Sequence, residues 1–104
     1  MAYLHKKVSG SENLFAYEHS FLFSARYRRN RLIGLWAAEA MGQADPQSYA
    51  SDICDWSIEH FSDEQLIEKI TQDFQTAGKR LDLDELSHRM VLLLNDVTRD
   101  MRRA

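Results

Sequence analysis

Four arginines stand within six positions, Arg26, Arg28, Arg29 and Arg31, directly behind an aromatic run of Phe15, Tyr17, Phe21, Phe23 and Tyr27. Guanidinium groups are planar, always charged and matched to carboxylates and phosphates. On one helix the aromatic positions cover more than one face, so a small bundle cannot easily bury all of them. Exposed rings beside arginines are what a protein-binding hot spot requires, because they bury large areas and pair with carboxylates. Two other readings of the same residues stay open. Half of the rings can pack at home with the rest as tolerated surface, and an arginine run can be a solvated, salt-bridged face. Phosphates of a nucleic acid are a further partner for four such cations. The overall balance counts against that one, since 13 basic and 16 acidic side chains give a formal charge of −3 and a pI near 5.7.

Catalytic chemistry has few candidates. His5, His19, His60 and His88 are scattered, with no Cys or His pair at zinc-ligand spacing and no HExxH helix, so neither a metal nor a cofactor is expected. Cys54 lies beside Ile53 and Trp56 in an amphipathic stretch, which makes it a small core residue rather than a nucleophile. Asp82 and Asp84 sit where a helix starts, and capping and dipole effects account for them without acid–base work. No glycine-rich phosphate loop is present. The expectation is a chain that binds and does not catalyse.

The elements that must position the aromatic and arginine residues follow from the punctuation. Only four glycines and one proline interrupt the chain, which suits helices. Ser9, Gly10 and Ser11 predict an irregular or mobile start over residues 1 to about 11. A long helix is predicted from about Glu12 to Met41, closed by Gly42. Asp45 and Pro46 suit an N-cap and first helical position for a second helix to about His60, with Tyr49, Ile53, Trp56 and His60 on one face. Ser62 with Gln65 forms a capping box for a third helix whose stripe is Leu66, Ile70, Phe74 and Ala77, ending at Gly78. Asp82 with Glu85 repeats the box, flanked by a Leu81 to Leu86 staple, and starts a fourth helix along Leu83, Leu86, Met90, Leu94, Val97 and Met101. No alternating strand pattern competes. The expected fold is all-α, a four-helix bundle with one long N-terminal helix whose first turns project beyond the packed body. A flexible arm over residues 1–14 precedes a single bundle domain over 15–104.

At 104 residues, with 44% hydrophobic and 11% aromatic residues, one core and one domain are expected. A single cysteine allows no internal disulfide, and no secretory signal opens the chain, so a reducing cytoplasm is the expected compartment. No run of about eighteen apolar residues is long enough to insert in a membrane, so any membrane association passes through another protein.

The segment FAYEHSFLFSARYRRNRLIGLWAAEAMG resembles the signature of the ATP synthase inhibitor zeta-subunit family of alphaproteobacteria, and RRN with LIGLWAAE is its most specific part. The likeness continues through SYASDI, EKITQDF and, more weakly, LDELSHRM. The resemblance implies a four-helix protein that binds the F1 sector of ATP synthase, contacting its alpha, beta and gamma subunits. It would inhibit ATP hydrolysis by inserting its N-terminal segment at a catalytic alpha/beta–rotor interface. It also implies a cytoplasmic protein held peripherally at the inner membrane through ATP synthase. The partner-binding residues expected on this basis are Leu14, Phe15, Tyr17, Glu18 and Phe21, followed by Phe23, Arg26, Arg28, Arg29 and Arg31. Gly34, Leu35, Trp36 and Ala37 belong to the scaffold, where they let helices approach closely.

One departure from the family pattern bears on activity. Where members carry a highly charged, helix-favouring leader, this chain has LHKKVSGSENL, and the acidic cluster after Phe15 is thinned to Glu18 beside His19 and Ser20. Glycine costs about 1 kcal/mol relative to alanine inside a helix. A weak or conditional inhibitor is therefore expected. The alternative is a zeta-like paralogue that has lost inhibition and serves as a nucleotide-sensing module, with weak ATP or ADP binding, or as another protein-binding module. A nucleic-acid adaptor ranks below both.

Overall fold

The computed structural model describes residues 2–103, with side chains described over 18–103. Four helices follow one another: α1 (Ala2–Met41), α2 (Pro46–Glu59), α3 (Asp63–Thr76) and α4 (Leu83–Arg103). Among the described residues there is no strand. This is the all-α four-helix arrangement that the punctuation predicts.

The helix ends are made by the residues that the sequence marks. Gly42 (φ 73°) and Gly78 (φ 69°) take the left-handed conformation that an L side chain rarely adopts. Each lets the chain fold back on the helix it closes: Gln43 N donates to Ala38 O at 2.9 Å, and Lys79 N to Phe74 O at 2.9 Å. At the starts, Asp45 accepts from Ser48 N with Pro46 just inside, and Asp82 accepts from Glu85 N at 3.1 Å. Ser62 and Gln65 form the reciprocal capping box. Helix α1 begins ten residues ahead of the predicted Glu12, at Ala2. The flexible arm assigned to residues 1–14 falls outside the residues whose side chains are described.

All four helices feed one core. Ile33, Ala37 and Met41 from α1 meet Ile53 from α2, Leu66, Ile70 and Phe74 from α3, and Leu86 and Met90 from α4. Cys54 is buried too, as its apolar neighbours predict, with its Sγ 3.6 Å from the Tyr27 carbonyl, and burial raises its thiol pKa. Leu83 departs from the predicted α4 stripe: as the first residue after the cap, it lies beyond the buried layers and stays exposed. His60 lies just past α2, its ring stacked on Trp56 at 4.1 Å with Nδ1 2.8 Å from the Trp56 carbonyl.

Close approach of α1 and α2 is set by Gly34. A Cβ placed there would lie 2.8 Å from the Cα of Ala50 and 3.4 Å from the Cβ of Ile53. Real Cβ atoms do not tolerate the first distance, and its partner is backbone, so relief requires the helices to part. On the α2–α3 side, Tyr49 Oη donates to Asp73 at 2.7 Å, and Lys69 completes the carboxylate's pairing at 3.1 Å. Burial and this acceptor push the Tyr49 phenol far above its ordinary value.

Two outcomes follow from this packing. Gly34→Ala should lower the melting temperature by several degrees, because overpacking costs about 1–3 kcal/mol and exceeds the gain in helix propensity. A calorimetric rise in melting temperature would contradict the close approach. Tyr49 is neutral in the fold, with a pKa raised above the unfolded value near 10, so its contribution is fully present below about pH 10 and is lost as pH rises beyond it. Denaturant titrations should therefore show stability falling above about pH 10. That alkaline loss should be smaller in Tyr49→Phe.

Candidate functional site

The back half of α1 is embedded and the front half is not. Among the described residues ahead of Arg29, only Ala25 is buried, whereas Arg29, Asn30, Ile33, Gly34, Ala37, Ala38 and Met41 all are. The helix therefore leaves the bundle at about the point where the arginine cluster begins. At a rise of about 1.5 Å per residue, residues 2–24 run for about 35 Å ahead of that point. The long axis of the molecule, 64 Å against 27 and 25 Å, reflects this projection.

The arginine cluster does not act as a unit. Arg29 is 2% exposed and turned into the bundle, where its Nη2 lies 2.7 Å and its Nη1 3.4 Å from the two Asp63 oxygens, while Nε donates to Asn30 at 2.9 Å. This two-pronged pairing ties α1 to the first turn of α3, and it removes Arg29 from any outward-facing surface. Asp63 keeps 45% of its side chain in solvent, so one end of the pair remains hydrated and desolvation is limited. Arg31 is exposed and donates to Gln47 Oε1 at 2.8 Å. Arg26 and Arg28 are exposed and form no ion pair or hydrogen bond among the described residues.

The aromatic run also divides. Phe21 is half-buried, with the Arg102 guanidinium from the end of α4 4.9 Å from its ring centroid, a cation–π contact that seats α4 on α1. Phe23 and Tyr27 point the other way, into an open groove of about 450 Å³ between α1 and the end of α2. Leu22, Ile58 and Phe61 complete its apolar walls, and His19, Arg26, Asn30 and Ser57 are its polar groups, Arg26 the one cation of the arginine cluster that lines it. Phe23 meets Phe61 with ring centroids 6.0 Å apart and planes inclined at 60°. Glu18 is exposed at the start of the described surface, and the side chains of Leu14, Phe15 and Tyr17 lie outside the described residues.

Ile58 and Phe61 were not among the predicted site residues. Ile58 lies off the Ile53 face of α2, and Phe61 precedes the Ser62 cap, where an apolar residue ordinarily staples a helix start. Phe61 is instead 61% exposed. Among the described residues no group of three His, Cys, Asp or Glu side chains gathers as a metal site would, and no helix is long and apolar enough to cross a membrane.

The described site is thus a long helix held at its rear, with an open aromatic groove at its exit. The family model for ATPase inhibitor subunit zeta matches residues 1–100. The chain belongs to the ATPase inhibitor subunit zeta family. No curated protein matches the sequence. Membership makes it an inhibitor subunit directed at ATP synthase, a class that is not catalytic. The zeta-family match covers the leading segment as well as the bundle, so the divergent leader falls inside the family's own extent.

The Arg29–Asp63 tie can be tested apart from function. Asp63→Ala leaves a buried guanidinium with half its partners and should cost about 2 kcal/mol in urea unfolding. Arg28→Ala, on an exposed side chain with no ion pair among the described residues, should change stability by less than about 0.5 kcal/mol.

Proposed function

We propose that the chain restrains ATP hydrolysis by carrying the leading turns of α1 into a catalytic alpha/beta interface of F1 against the gamma rotor. The observation that carries this reading is the asymmetry of α1: Arg29 to Met41 are clamped in the bundle, and the described residues ahead of them are almost wholly unburied. A helix in that state presents its side chains to a cleft without dismantling its own core.

The block is mechanical. A catalytic interface must open and close as the rotor turns, and a helix occupying it prevents that movement with no reacting group. Leu14, Phe15 and Tyr17 supply apolar contact at the entering end, and Glu18 contributes a carboxylate at its base. Phe21 acts behind them by seating the end of α4 through Arg102. Arg28 faces outward at the exit, available to carboxylates on the surface of F1. The buried Arg29 holds the helix in place, and Arg31 braces it against α2 through Gln47. Through F1 the protein would stand at the membrane periphery.

Ser9, Gly10 and Ser11 lie within the helix that this reading inserts, so inhibition is weakened by the cost of holding them helical.

ATP hydrolysis by F1 from the same organism should fall on adding the intact chain. It should stay unchanged with a version lacking residues 1–18, whose bundle retains every buried residue of the described core. Equal inhibition by both versions would refute insertion of the leading segment. Gly10→Ala should lower the half-inhibitory concentration about fivefold, the equivalent of about 1 kcal/mol. Unchanged inhibition would separate the block from helix formation there.

A further inference from the structure

We propose that the groove between α1 and the end of α2 is a second, anchoring contact, which receives an amphipathic helix of F1 whose apolar ridge carries a carboxylate opposite Arg26. The inference rests on the reading that the leading turns of α1 enter F1, and it names what lies against the bundle when they do.

Continuity supplies the first argument. Residues 14 and 27 are about 20 Å apart along a helix. Any body that encloses the helix up to Glu18 presents its own surface to Leu22, Phe23 and Tyr27 on the next two turns. Those side chains do not cap the core. They face an open cleft whose opposite wall, Ile58 and Phe61, comes from α2 and the following turn. The groove thus sits at the mouth of the proposed insertion site and opens along α1.

Composition supplies the second. Leu22, Phe23, Ile58 and Phe61 all rank among the exposed large apolar residues of the chain, and here they are contiguous. A helix ridge with apolar residues at three- and four-residue spacing fills such a cleft, and burial of these rings supplies the affinity. Arg26 stands on the same wall with no ion pair or hydrogen bond among the described residues. Burying it beneath a wholly apolar ridge would strand a charge, so the occupant must bring an acceptor, and a carboxylate matches a guanidinium in both charge and geometry. A basic or uniformly apolar helix is rejected by the same group.

The division of labour is then specific: the leading segment blocks and the groove holds. Binding of the full chain to F1 should be compared with that of Ile58→Ser/Phe61→Ser and of Arg26→Glu, with melting curves to verify that each variant is folded. Loss of at least tenfold in affinity is expected for both, with maximal inhibition at saturation unchanged and with a weaker salt dependence in Arg26→Glu. A wild-type chain that binds F1 while both variants bind equally well overturns the groove and leaves the insertion reading intact. Failure of the wild-type chain to bind F1 overturns both. Sedimentation that shows a dimer of the free chain, dissolved by the same substitutions, would assign the groove to a second copy and overturn the proposal. A photoreactive residue at position 61 should crosslink to an acidic helix of F1, and crosslinking only to a basic or neutral segment counts against it.

Discussion

Contact between the back of α1 and the middle of α2 is the constraint on which the other features depend. With only a hydrogen at Gly34, the backbone of Ala50 comes within the distance that a side chain would occupy, and the two helix axes lie close enough for Ala37 and Ile53 to share a core with α3 and α4. Small residues at such a crossing exchange side-chain bulk for continuous backbone contact. The result is a stiff seat for one end of a 40-residue helix. Everything ahead of the seat inherits its direction from it.

The Arg29–Asp63 pair extends that seat by one turn. Placed in the first turn of α3, just inside the Ser62 cap, Asp63 both meets the positive end of the helix dipole and pairs with Arg29. Arg29 and Asn30 are the last buried polar residues before the helix emerges, and beyond them the described surface is aromatic and cationic. The boundary between packed scaffold and exposed surface therefore falls inside the RRN motif and not at its edge. The same stretch of sequence contains an internal tie at Arg29 and an outward-facing side chain at Arg28, one residue apart.

For an inhibitor subunit this organisation has a clear physical logic. Stability resides in the core behind Arg29, so the projecting part can be shaped for a partner without loss of the fold. Groups that would be costly in a core, such as Arg26, which has no ion pair among the described residues, are tolerated because they stay hydrated. The titratable groups that their surroundings shift, the half-buried Tyr49 beside Asp73 and the buried Cys54, belong to the scaffold and not to the projecting part of α1.

Much of this was legible in the residues alone. Caps at Asp45, Ser62 and Asp82, the glycine stops at 42 and 78 and, apart from the exposed Leu83, the stripes of α3 and α4 are local signals, set by hydrogen bonding and helical period within a few residues, and they hold in the fold. Family membership was legible too, because RRN with LIGLWAAE is specific. The roles inside that motif were not. Whether an arginine turns in or out depends on what stands opposite, and Asp63 lies 34 positions away from Arg29. The groove depended on a similar long-range event, the placing of Ile58 and Phe61 beside Phe23, which no spacing along the chain encodes. Sequence by itself determined the number of helices, the caps of α2 to α4 and the family; tertiary packing alone decided which aromatic and arginine side chains stay exposed, because exposure is a property of the neighbour across the gap.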